Sequence, residues 1–244
     1  MKQKSHWLSS FLLGVLSFVL LWWLLAMLLK NRAIPAPWET FQTIWSLKDQ
    51  VLLHTLASLG RMTLALFFAF MVGVPCGIAL SLSPRLNCVL SPLLYFLYPL
   101  PKVAFLPVFM IFWGLGNLSK IILLFTIIVL QMIVLVRDGV NQIPRNYQRT
   151  MTNFHASLGQ RIYYLILPAI YPHLLASLRV SIGIALASLF FAENYATTYG
   201  LGYLILSAWT KMAYDEMFAG IFCIALLGFA LFTLLDALEK RRAE

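Results

Sequence analysis

Charge is scarce in this sequence. Asp, Glu, Lys and Arg make up 11% of its 244 residues, and nine of them are acidic. A soluble domain carries about a quarter charged residues, so this chain cannot hydrate a globular surface. Cysteine is also sparse: Cys76, Cys88 and Cys223 are far apart, with no CxxC or Cys/His spacing. That excludes a disulfide framework and a zinc site, and the three are expected to be small packing residues. His6, His54, His155 and His173 share no ligand spacing. The sequence has no P-loop, no GxSxG and no carboxylate pair in a water-accessible stretch, so it offers no catalytic site and predicts a protein that is not an enzyme. What the sequence has in abundance is apolar surface: 61% hydrophobic residues and a mean hydropathy of +0.84. The solvent it is built for is lipid.

The apolar runs predict an all-α integral membrane protein of about six transmembrane helices. The first run, from Trp7 to Leu29, contains no charge. It is too long for a secretory h-region and no small-residue cleavage site follows, so it is read as a span. Residues 1–50 are thus this helix plus a more polar segment in which Pro35 and Pro37 precede a short amphipathic helix, Trp38 to Leu47, at the membrane surface. Residues 51–244 form the core. Its spans are expected from Leu52 or Met62 to Ser81, from Val89 to Trp113, from Ile121 to Val136, from Leu165 to Ala192 and from Met217 to Leu235. The run from Val89 carries Pro92, Pro99, Pro101 and Pro107 and is expected to kink. The run from Ile121 covers only about 24 Å and must draw on flanking residues.

The net charge of +9 does not mark a nucleic-acid partner, because the basic residues lie between the apolar runs and at the ends. With the N terminus cytoplasmic, Lys2, Lys4, Arg85, Arg137, Arg145, Arg149, Arg161, Lys240, Arg241 and Arg242 fall inside, while Lys30, Arg32, Lys48, Lys120 and Lys211 fall outside. Arg61, Lys102 and Arg179 sit within or at the edge of apolar runs. The positive-inside rule therefore predicts both termini in the cytoplasm, together with the polar loop 137–161.

Ionisable groups among the spans are candidates for a solute pathway. These are Lys102, Arg179 and Glu193, with alternatives open: an outer water interface for Glu193, and snorkelling or internal pairing for the two cations. Gly73 and Gly77 form a small-xxx-small pair around Pro75. It suits close helix packing within one subunit, or else a contact between subunits.

The polar loop carries a resemblance. Permeases of ATP-binding-cassette importers have a cytoplasmic loop of pattern EAA-x3-G-x9-I-x-L-P. Here that pattern falls on Arg149-Thr150-Met151, then His155, then Leu165-x-Leu167-Pro168. The Leu-Pro exit is retained, whereas Arg149 stands for a carboxylate and His155 for a glycine. Lys102 to Lys120, Glu193 with Tyr199-Gly200-Leu201-Gly202-Tyr203-Leu204-Ile205, and Gly73-x-Pro75-x-Gly77 are similar to stretches of the nitrate, sulfonate, taurine and bicarbonate group. The resemblance covers nearly the whole chain and implies a type I importer (MetI-like) bundle in a bacterial inner membrane. It further implies a coupling segment from about Pro144 to Gly159 docked on a separate ATPase subunit, a second permease copy or paralogue, and a periplasmic or lipid-anchored substrate-binding protein. No cofactor is implied for the chain itself; ATP would be hydrolysed on the partner. Two other readings stay open: a membrane scaffold whose coupling loop no longer meets an ATPase, and an ion-driven carrier. The second is disfavoured by the lack of central intramembrane carboxylates other than Glu193.

Overall fold

The computed structural model describes residues 2–29 and 33–243, with side chains described from residue 13 onward except at 238 and 240–243. Lys30, Arg32 and the side chains of Lys2, Lys4, His6, Lys240, Arg241 and Arg242, which carry much of the expected charge bias, lie outside the described residues. Among those described there is no strand; the chain is a succession of helices.

The longest helices are the apolar ones, as lipid requires, since only a helix satisfies its own backbone there. They are α3 (Lys48–Leu82), α6 (Asn117–Asn141), α9 (Leu167–Glu193) and α11 (Tyr214–Ala243). All four are long and apolar enough to cross a membrane, with α9 extended at its start by α8 (Leu158–Arg161) and a π turn, Ile162–Ile166. α6 takes in the flanking residues that the short run Ile121 to Val136 needed. α1 (Lys2–Leu29) has 28 residues, about 42 Å of helix, and its residues Leu13–Leu29 are apolar apart from Ser17, whose hydroxyl donates to Leu13 O.

Contacts at the helix ends fix direction. Near their starts, Arg61 of α3 donates to Asn117 of α6 at 2.9 Å; at their ends, Ser81 donates to Asn141 at 2.6 Å. The two helices therefore run parallel, and residues 83–116 must return the chain the length of α6, about 37 Å. The return is made by α4 (Pro84–Leu97), a 3-10 turn (Lys102–Phe105) and α5 (Leu106–Trp113), which are bent by 88° where they meet. The third expected span is thus a broken crossing and not one kinked helix. Pro99 and Pro101 supply no N–H there, and Pro101 bars Leu100 from helical angles. α9 runs antiparallel to α3 and α11, bringing Glu193 to Arg61 and Arg179 to Asp236.

The core lies where α3, α6 and α9 meet. Met62, Ala65 and Ala69 face Leu124 and Ile128 of α6 and Ile182, Ala185 and Leu189 of α9. Ala65, Ala69, Gly73 and Gly77 recur every four residues and so share one helix face. A Cβ on Gly73 would come within 2.7 Å of Met132 Cγ, and one on Gly77 within 2.6 Å of Val136 Cβ. These glycines, on either side of Pro75, serve packing within the subunit. Cys223 is buried as expected, whereas Cys88 is exposed.

Two short helices complete the Asn117 end. α2 (Pro37–Ser46) begins with Glu39 accepting from the Ala36 N–H at 2.9 Å, one half of a capping box whose other half the Ala36 methyl cannot supply, and shows Trp38 and Trp45 to the surroundings. Trp22 of α1 donates to Pro35 O at 3.0 Å and stacks on Phe218 of α11, which seats the N-terminal helix. α10 (Leu201–Thr210) packs on α9, α11 and α3; ten residues give about 15 Å, too short to cross.

Candidate functional site

Two features at opposite ends of the bundle carry the functional residues. At the Asn117 end, Glu193 is 0% exposed and forms an ion pair with Arg61, itself 5% exposed. Its carboxylate also accepts from the Gly202 N–H at 2.8 Å, and the Ser58 hydroxyl lies 2.8 and 2.9 Å from its two oxygens. Ser58 in turn accepts from the Leu201 N–H at 2.8 Å, and His54 Nδ1 from the Gly200 N–H at 3.0 Å. The start of α10 is therefore tied to α3 and α9 through its first backbone amides, the groups a helix leaves without internal partners. Gly200 has φ +144°, and any Cβ there would collide with the Glu193 carboxyl. In the Tyr199 to Ile205 stretch, the Glu193 carboxyl occupies the side-chain space of Gly200, and a Cβ on Gly202 would lie 2.5 Å from the Phe190 carbonyl oxygen.

Lys120 sits beside this group, 1% exposed, its ammonium donating to the carbonyls of Leu115, Gly116 and Ala196 at 3.0, 3.3 and 3.2 Å. The sequence alone puts Lys120 in an outer loop and shows Arg61 only as a charge within an apolar run. That anomaly, a cation inside a span, was the available signal for a buried partner.

The residues Lys102, Arg179 and Glu193 are not brought together. Lys102 donates to Tyr98 O at 2.8 Å and Leu100 O at 3.4 Å, closing the break in the bent crossing. Arg179 lies fourteen residues before Glu193, about 21 Å along the same helix, and pairs with Asp236 and Glu239 at 2.5 and 3.2 Å. Lys102 is held by nearby backbone carbonyls and Arg179 by two partly exposed acids, whereas Glu193 lies within the bundle.

At the other end, the loop 137–161 folds into α7 (Arg145–Asn153) and α8. α7 has no buried residue; Arg149 and Thr150 are exposed, Met151 is partly buried, and Phe154 just beyond the helix is 80% exposed. The helix ends in a Schellman turn: His155 N–H donates to Thr152 O at 2.9 Å and Ala156 N–H to Met151 O at 3.0 Å. His155 takes φ 49°. This is the left-handed position that glycine fills without cost, which gives a backbone reason for glycine in the family pattern. Ser157 and Gln160 form a capping box that opens α8, with Gly159 exposed inside it.

From there the chain continues as one 36-residue helical stretch, Leu158–Glu193. Pro168 has no N–H to give to Tyr164 O, and immediately before it the ladder widens, Leu167 N–H bonding to Ile162 O. Leu165 and Leu167 pack against a core of Val136, Val140, Ile143 and Ile170. From the exposed α7, the turn 154–157 leads into a single helical rod about 54 Å long that begins at Leu158 and ends at the buried Glu193.

Residues 65–244 match the family described as binding-protein-dependent transport system inner membrane component. The chain is 34% identical over 239 residues to the taurine transport system permease protein TauC of Escherichia coli K12, covering 94% of this chain and 87% of that protein. It is 27% identical to the bicarbonate transport system permease protein CmpB of Synechocystis, covering 89% and 82%. A nitrate import permease, NrtB of Synechococcus elongatus, is 24% identical over 88% of the chain and 82% of that protein. Among solved structures, a chain of the MetNI methionine ABC transporter in an inward-facing conformation superposes with a TM-score of 0.68 and 16% identity, covering 80% of this chain and 97% of that one.

Proposed function

The chain belongs to the family of binding-protein-dependent transport system inner membrane components, a MetI-like permease of an ATP-binding-cassette importer, and on that premise we propose how it works and on what. It is the membrane-spanning subunit of an ATP-driven importer for a small anion or small organic solute of the nitrate, bicarbonate, taurine and sulfonate kind. It forms the pathway with a second copy or a paralogue, and the termini and α7 face the cytoplasm. A separate ATPase receives α7, and a periplasmic or lipid-anchored binding protein delivers solute at the Asn117 end.

The observation that carries this reading is the continuity of the rod. α7 offers an exposed helical knob followed by Phe154, the short turn 154–157 links it to α8, and α8, the π turn and α9 then run to Glu193 as one helical stretch. Movement of α7 by an ATPase is thereby passed to the helix end that holds Arg61 and the start of α10. Packed cores transmit such movement as shifts of whole elements, because they deform little. The relatives whose names specify bicarbonate and nitrate transport support a small anionic cargo, and the one named for taurine, a zwitterion that carries a sulfonate, supports a small organic solute.

The test is to recover the chain from its native membrane, reconstitute what comes with it in vesicles, and measure ATP-dependent uptake of labelled nitrate, bicarbonate and taurine with the binding protein present. Uptake of one of them supports the reading. Recovery without any ATPase favours the scaffold alternative.

A further inference from the structure

The buried group at the Asn117 end is not electrically balanced. Arg61 and Lys120 supply two positive charges and Glu193 one negative, leaving a net charge of +1, and no other carboxylate pairs with them among the described residues. The three carbonyls around Lys120 satisfy its hydrogens but are neutral, so its charge stands. A buried charge without a counter-ion is costly. Beside it opens a cavity of about 520 Å³ lined by Arg61, Lys120, Asn117, Thr197, Thr198 and Tyr199, with no carboxylate in its wall. Arg61 commits Nε to Asn117 and Nη1 to Glu193; Nη2 makes no hydrogen bond among the described residues. The Thr198 side chain makes none either, and it is exposed. The other large cavity at this end, about 750 Å³ beside α2 and the start of α11, is lined by Glu39 and Asp215 and has the opposite sign.

We propose that the 520 Å³ cavity between α3, α6 and the segment 196–199 is a binding site for one small free anion, such as a sulfonate, nitrate or bicarbonate, whose charge completes the Arg61, Glu193 and Lys120 group. Arg61 Nη2 and the Thr198 hydroxyl would donate to it, and Lys120 would attract it through the low-polarity wall. The proposal rests on the importer reading only in taking this anion as cargo on its way in.

The probe is radiolabelled methanesulfonate, bound to the chain with its membrane partners in phosphatidylcholine nanodiscs freed of soluble binding protein. Expected is saturable binding at one site per chain, competed by nitrate and not by uncharged dimethyl sulfone. Asn117→Asp keeps an acceptor for Arg61 Nε while cancelling the net charge, and is expected to weaken binding at least about tenfold without a matching fall in melting temperature. Thr198→Val, an exposed position outside the ion pair, is expected to weaken it several-fold and guards against a misfolded Asp variant.

Equal binding by wild type and both variants, displacement by the sulfone, or no saturable binding would overturn the proposal. So would complete displacement when phosphatidylglycerol is added to the nanodisc, which would assign the cavity to a lipid headgroup. Uptake by the full assembly is scored separately. Lost binding with intact uptake removes only this site, and intact binding with no uptake removes only the importer reading.

Discussion

The carboxylate of Glu193 meets the guanidinium of Arg61 inside the bundle, joining the last residue of one crossing helix to the second quarter of another. The partners stand 132 residues apart in sequence. Removing one of them leaves the charge of the other without its partner inside the bundle, so Glu193→Gln is expected to lower stability by about 3 kcal/mol. Arg61→Met added to Glu193→Gln is expected to recover part of that loss. Thermal unfolding of the single and double variants in detergent, read as a double-mutant cycle, checks both. A single variant as stable as wild type would show that the pair is not what holds α9 to α3.

Arg179 and Asp236 provide the contrast. Their side chains are 43% and 36% exposed, and pairs of that kind contribute about 0 to 1 kcal/mol. Arg179→Gln should shift the melting temperature little, and raised salt should erase the shift. A loss as large as that of Glu193→Gln would mean that this pair is shielded in the membrane.

Gly77 has no room for a side chain against Val136. Gly77→Val must push α3 from α6 and is expected to cost about 1 to 3 kcal/mol. Gly60, with nothing near its Cβ position, should accept alanine with a small gain in stability. Comparing the two melting temperatures tests whether the small-residue face of α3 works within one subunit.

His155 holds a left-handed backbone angle at the end of α7. A non-glycine residue there carries a cost of about 1 kcal/mol, so His155→Gly should stiffen the turn. Slower amide exchange at Ala156, whose N–H closes the Schellman turn on Met151, is the expected result. Faster exchange would mean that the imidazole supports the turn.

Most spans of the core and the surface helix after Pro37 were legible because apolar runs and proline write them locally, whereas the segment from Pro144 to Gly159 was expected only from the family resemblance. Tertiary relationships were not legible. Four prolines between Val89 and Trp113 announce kinks, but the 88° bend follows from Pro99 and Pro101 flanking one residue while the chain still has to return along α6. Glu193 reads from sequence either as a pathway residue or as an acid at the outer water interface, because its apolar run ends there; only the fold shows Arg61 and Gly202 beside it. Lys120 looks like a loop charge until the Leu115 and Ala196 carbonyls close around it. The departures at Arg149 and His155 suggested an altered coupling loop, yet the backbone keeps a helix and a left-handed turn at the position of the missing glycine.

The central claim is that α7 drives this subunit through the rod that ends at Glu193. Its most direct test is ATP hydrolysis by the assembly recovered with the chain, wild type against Phe154→Asp, which places a charge on the apolar side chain most exposed beside α7. The account predicts that an ATPase comes with the wild-type chain and that the variant, equally stable, loses it or leaves its hydrolysis unresponsive to loaded binding protein. An ATPase that binds and responds identically in both would contradict it.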